Sequence, residues 1–230
     1  MTAREWSAAT DLSLMLNALR GRVSDRKLRL FAVACCRHIW ELLPDERSRS
    51  AVEVAEQYAD GLASQRERGA ARAAALGAAG RYNRKEAWAA YWTASYNLGE
   101  SLWNACEAAV EATARAAASA AAGGTSAEQV AAWDAARAAG ARHQTTLLRE
   151  ILGDPDRRVT VDPSWLTWNG GLVRDLARTV YDERRFEDLP IVADALEEAG
   201  CTDAALLAHC RSAAPHVRGC WALDILLGKE

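Results

Sequence analysis

Between Ala70 and Ala141 the chain holds 30 alanines in 72 residues, and that stretch has few ways to fold. Alanine has the highest intrinsic helix propensity and is depleted in strands. Its methyl group is also too small to fill a core. Alanine-faced helices must therefore approach closely, with larger side chains filling the gaps between them. The sequence has nine tryptophans and two phenylalanines, and Trp88, Trp92, Trp103 and Trp133 are placed to fill such gaps. Asn83 can cap a long helix running to about Ala122. The GGTS at 123–126 breaks the pattern, and Thr125 or Ser126 can cap a second helix through Leu152. Two long helices joined by a short Gly-Gly turn predict an antiparallel hairpin.

Helix signals continue on both sides. Thr10 precedes DLSLMLNALRG, and Ser24 opens DRKLRLFAVACCRHIWELL, which Pro44 closes. In that helix Leu28, Phe31, Cys35, His38 and Leu42 form one stripe, with Ala32, Cys36, Ile39 and Leu43 beside it. An apolar face this wide marks the centre of the N-terminal core. Val52, Ala55, Tyr58 and Leu62 give the next helix its inward face, and Gly77 and Gly80 are expected to interrupt a short one. Residues 153–171 are the one long irregular stretch, and RRVTV within it is the only segment that reads as a strand. Helices are expected around 172–182, 188–199 and 203–211. A last helix then opens at Pro215 with Gly219 inside it. The fold class is all-α: a helical bundle with a long Ala/Trp-rich antiparallel helix hairpin and a small C-terminal helical subdomain. Expected boundaries are 1–80, 81–152 and 153–230.

Charge narrows the function classes. The net charge is −3, and residues 151–230 carry 9 basic against 14 acidic side chains. A long basic surface for nucleic acid is therefore not expected. No apolar run reaches membrane-spanning length, and MTAREWSAAT shows no signal-peptide pattern. Six cysteines spread through a large core-forming chain read as reduced thiols of a cytoplasmic protein.

The segments REWSAATDLSLMLNALRGRVSDRKLRLFAVACCRHIWELLPDERSRSAVEVAEQYADGLAS and VTVDPSWLTWNGGLVRDLARTVYDERRFEDLPIVADALEEAGCTDAALLAHCRSAAPHVRGCWALDILLGKE resemble the two ends of an uncharacterised bacterial family of paralogues. Its SDRKLRLFAxACCRxIW and PHVRGCWxxDxxLGK patterns carry the resemblance. The resemblance implies a standalone intracellular module. It implies no activity, cofactor or site residue.

Chemistry concentrates in AHCRSAAPHVRGCW, residues 208–221. On the expected last helix His216 and Cys220 share a face, and His209 or Cys210 can reach across the turn. Cys35 and His38, on the central N-terminal helix, complete a tetrahedral zinc site if the two ends of the chain meet. The competing reading makes these thiols small buried hydrophobes, with no cofactor. It takes precedence, because the chain has no CxxC pair and neighbours such as His209 and Cys210 diverge by about 100° on a helix. Cys210 or Cys220 with His209 or His216 also has the residue types of a thiol nucleophile and its base. Nothing marks an oxyanion hole, however, and no phosphate loop, GxSxG or HExxH occurs. Arg211 and Arg218 flank Pro215 and His216 and offer an anion or partner site, unless carboxylates such as Asp203 or Asp224 take them.

Trp88, Trp92 and Trp103 with Tyr91 and Tyr96 could line a groove for a partner helix. Base stacking would want a basic groove, and only Arg81, Arg84 and Lys85 lie near, which disfavours nucleic acid. Trp165 and Trp168 are the aromatics expected at the surface, where they would anchor a partner. The function expected is therefore a non-enzymatic interaction or scaffold module. Its partner would be another protein, or a second copy meeting it through the Ala/Trp-rich helices. The alternatives are a zinc-binding or thiol-dependent enzyme using both ends of the chain, and a nucleic-acid-associated protein.

Overall fold

A computed structural model of the chain describes residues 1–43, 45–82, 85–93, 98–121, 123–157 and 159–229. In order, α1 is Ala3–Ala8, α2 Leu12–Ala18, α3 Asp25–His38, α4 Glu46–Ala59, α5 Gln65–Tyr82, α6 Lys85–Thr93 and α7 Leu98–Ala120. Then come α8 Ser126–Leu152, α9 Pro163–Thr167, α10 Leu172–Glu183, α11 Leu189–Glu198, α12 Ala204–Cys210 and α13 Trp221–Leu227. The fold is all-α, with no strand among the described residues. No helix among them is long and apolar enough to cross a membrane. Val159, Thr160 and Val161 form no strand, since a lone extended segment has no neighbour to accept its backbone hydrogen bonds, and Arg158 of the expected RRVTV strand lies outside the described residues. Instead Val159 and Val161 lie partly buried against the C-terminal core.

The contacts divide the chain into two compact units, Ala9–Leu147 and Met1–Ala8 with Leu148–Glu230. No boundary falls at residue 80, because α5 and α6 pack on each other and both pack on α4. In this larger unit α3 is central, touching α4, α6 and α7. Ser24 caps it by accepting the Lys27 amide at 3.3 Å, and Phe31, Cys35, Cys36, Ile39 and Leu43 are almost wholly buried. Many alanines of α5 to α7 face inward, whereas on α8 Ala127, Ala131, Ala135, Ala138 and Ala139 are exposed. Ala75, Ala78, Ala79, Ala89, Ala90, Ala105 and Ala114 show no exposed surface. Helix α5 runs on through Gly77 and Gly80, where an interruption was expected; neighbouring alanines offset the roughly 1 kcal/mol cost of each glycine.

Helix α8 starts as its sequence asks. Thr125 and Glu128 form a capping box, with the Thr125 amide donating to Glu128 Oε2 at 2.6 Å and the Glu128 amide to Thr125 Oγ1 at 3.3 Å. Side chains of α8 meet α7 with residue numbers running in opposite directions. Gln144 Nε2 donates to the Cys106 carbonyl at 2.7 Å, and a Cβ on Gly140 would lie 3.3 Å from Val110 Cγ2. The expected cap at Asn83, together with Tyr96 and the Trp92 side chain, lies outside what is described.

The smaller unit begins with the end of α8, from Leu148. Its core comprises Val173, Ala177, Val180, Tyr181, Leu189, Val192, Leu196, Leu206, Leu223 and Leu226 from α10 to α13, with Cys201, Cys210 and Cys220 among them. The N-terminal α1 joins this unit through Trp6, whose Nε1 donates to the Gly153 carbonyl at 2.8 Å. Arg149 returns the contact by donating to the Trp6 carbonyl at 3.0 Å. Helices α10, α11 and α12 lie close to where the sequence puts them, but the last helix does not. It starts at Trp221, and Gly219 precedes it with φ +93°. Pro215 and His216 therefore sit in a loop.

Gly153 has φ +65°, and a Cβ there would lie 3.0 Å from the Trp221 ring. Gly200 has φ +89° with open space around its Cβ position. Gly153→Ala is expected to lower stability by about 2–3 kcal/mol, combining left-handed backbone strain with overpacking. Gly200→Ala incurs only the backbone part, about 1 kcal/mol. Urea midpoints of the two variants check this, and equal losses would contradict the packing described.

Candidate functional site

The smaller unit brings four polar side chains together on three stretches of chain. Glu150 stands near the end of α8, with Leu147, Leu148 and Ile151 around it in sequence, and is 5% exposed. His209 ends α12 beside Cys210. His216 lies in the loop that follows, and Cys220, with no exposed surface, is the residue before α13. Glu150 Oε1 is 2.8 Å from His216 Nδ1, and Glu150 Oε2 is 3.4 Å from His209 Nε2. His209 Nε2 also lies 3.1 Å from Cys220 Sγ. The two imidazoles meet edge to face, with ring centroids 4.9 Å apart.

The partners fix the protons. His216 faces two acceptors, the Glu150 carboxylate and, at 3.3 Å from Nε2, the Ser212 carbonyl. Both ring nitrogens donate, so this imidazole is the charged one. His209 differs. Trp221 Nε1 donates to His209 Nδ1 at 3.1 Å, which places the His209 proton on Nε2, toward Glu150 and Cys220.

The titration behaviour follows from the same contacts. Burial alone would raise the Glu150 carboxyl, but hydrogen bonds from His209 and His216, with the charge on His216, outweigh it and hold it below the usual carboxylate range. Burial works to lower His216, yet its bond to Glu150 and that carboxylate's charge raise it. Cys220 is pushed well up, first by burial and then by the Glu150 charge.

One ligand atom from each of Glu150, His209, His216 and Cys220 lies within 4.8 Å of the others. These are the residues that could hold a metal ion. Three of them stand in the sequence segment 208–221; Glu150 was missed. It is one of many helix carboxylates in the sequence, and the only available signal was its place on an apolar face, three residues after Leu147. His216 and Cys220 do meet, but through a loop turned by Gly219, not along one helix face.

The other proposed ligands have different surroundings. Cys210 is in the core and is pushed up to about 12 by burial. Cys35 and His38 belong to the larger unit. There Cys35 Sγ lies 3.8 Å from Cys106 Sγ, and His38 stacks on His143 with centroids 3.8 Å apart. Burial and the neighbouring His38 lower His143 to about 4. Arg211 pairs with Asp194 at 2.6 Å and with Glu197, while Asp203 is taken by Arg157 at 2.8 Å. Arg218 lies over the Tyr181 ring, 4.6 Å from its centroid. Trp165 and Trp168 pack partly buried on the C-terminal core. Among the described residues the exposed indole is instead that of Trp103, at 42%.

Comparison of the chain with protein-family models, curated proteins and solved structures finds no match.

With a chelator present, the Glu150–His216 pair should stabilise the fold most between about pH 4.5 and 6.5, the ordinary values of the two groups. Glu150, being lowered, contributes above 4.5 and loses that contribution as pH falls further. His216, being raised, contributes below 6.5 and loses it as pH climbs through its folded value. Glu150→Gln should cost about 3 kcal/mol within that window and less on either side. Denaturation midpoints across pH check this, and a loss independent of pH would contradict the charged pair.

Proposed function

We propose that this chain is a non-enzymatic, cytoplasmic protein-interaction module whose contact surface lies around Trp103 in the larger unit. The observation that carries the reading is the half-exposed indole of Trp103 between two hollows. One, of about 490 Å³, is lined by Leu16, Leu19, Val23 and Leu28 together with Asn17, Arg20 and Asp25; the other, of about 350 Å³, by Leu12, Val110 and Ala141 together with Asp11, Glu107 and Arg137. Leu14, 58% exposed, follows Ser13, which borders both hollows. A large aromatic side chain flanked by depressions with apolar walls and a polar rim is a usual anchor of a protein contact. Against the thiol-enzyme alternative stands the state of Cys220. An attacking cysteine needs thiolate, and this one is enclosed, with burial and the Glu150 charge both holding its proton on. All six cysteines are buried and unpaired by disulfides, as suits a reducing compartment.

Trp103→Ala should leave the far-ultraviolet circular dichroism unchanged and abolish a specific photo-crosslink formed from position 13 in native cell extract. A crosslinked partner that persists in the variant would sink the reading. In the folded protein no thiol should react with a disulfide reagent at the speed of an activated cysteine, and all six should react once unfolded. One fast thiol in the native state would favour the enzyme.

A further inference from the structure

We propose that Glu150, His209, His216 and Cys220 form a tetrahedral zinc site that clamps the loop between α12 and α13 onto the end of α8. The donor set is one carboxylate oxygen, two imidazole nitrogens and one sulfur. That mixture of hard, intermediate and soft ligands suits Zn²⁺ better than Mg²⁺ or Ca²⁺, which want oxygen alone. Charge agrees. On binding, Cys220 and His216 each release a proton to solvent; the resulting carboxylate and thiolate with two neutral imidazoles carry −2, so the divalent ion leaves a buried site neutral, as low-dielectric surroundings require.

Distances agree as well. Zinc bonds of roughly 2.0–2.3 Å place tetrahedral ligand atoms about 3.3–3.7 Å apart. The contacts here are 2.8 Å for Glu150–His216, 3.1 Å for His209–Cys220 and 3.4 Å for Glu150–His209. Across all four ligand atoms the separations reach as far as 4.8 Å, so drawing them to tetrahedral spacing takes shifts of up to about 1 Å. All four positions are filled by protein, so the site is closed and structural, with no vacancy for a substrate.

The outer contacts discriminate between the two histidines. His216 would bind through Nδ1 while Nε2–H keeps donating to the Ser212 carbonyl, the support a metal-bound imidazole normally has. His209 would bind through Nε2, moving its proton to Nδ1, where the Trp221 N–H now points. Metal uptake must therefore break the Trp221–His209 hydrogen bond. Trp221 also lies against Gly153, so its indole reports the change from a fixed place.

The test uses full-length untagged protein, stripped with a chelator and titrated with Zn²⁺ and then with Co²⁺ as a visible probe. One ion per chain is expected, with the intense d–d bands of tetrahedral cobalt and a thiolate-to-cobalt charge-transfer band. One indole N–H resonance of the nine tryptophans should move on zinc binding, and Trp221→Phe should remove that resonance. Cys220→Ser should abolish the charge-transfer band, and His216→Ala should weaken zinc roughly 100-fold or more, since even outer-shell changes cost 10–100-fold. Cys210→Ser, in the adjacent core position, should change neither. The wild-type spectrum decides the matter even if a ligand variant fails to fold. Less than one ion per chain, a six-coordinate cobalt spectrum, or a charge-transfer band that survives Cys220→Ser would each overturn the site.

Discussion

A carboxylate taken almost wholly out of water must be compensated, and the C-terminal unit is arranged around that requirement at Glu150. Unpaired, such a charge would cost several kcal/mol. Two imidazoles meet it, one from the end of α12 and one from the loop beyond. To bring His216 there the chain must leave the helical path after Cys210, and Gly219 must take a left-handed turn before α13 can start. The position of the last helix, the burial of Cys220 and the placement of Trp221 against Gly153 belong to the same arrangement.

The larger unit solves a different problem. Alanine faces bury little area each, so its helices gain stability by close approach, and the gaps fall to bigger residues on α3 and α7. Where such a residue has no alanine face to cover it, it stays at the surface. Trp103 does so, 42% exposed on α7. The proposed contact surface thus rests on an uncovered aromatic in one unit, and the proposed zinc site on a buried charge in the other.

Local signals were legible wherever a side chain acts on its own backbone. Ser24 and Thr125 mark helix starts from within a few residues, as the Lys27 and Glu128 amides donating to them show. The apolar stripe of α3 likewise predicted its central place. The reading failed where a local rule met a distant partner. Pro215 is well suited to open a helix, but His216 beside it is held by Glu150. Three members of the cluster are visible as a concentration of histidine and cysteine; the fourth is not, because one glutamate in a helix looks like another until its neighbours in space are known. Trp165 and Trp168 read as surface aromatics from their place in the irregular stretch, yet they pack partly buried against the C-terminal core.

By itself the sequence determined that the chain is helical, where most helices begin, and that histidine and cysteine gather near its end. Those properties depend on propensity, capping and composition, all of which act over a few residues. Only the tertiary structure decided that α1 joins the C-terminal unit, that Cys35 and His38 keep company with Cys106 and His143, and that Glu150 completes the cluster. Each of these depends on which surfaces are buried against which, and burial is a property of the packed chain.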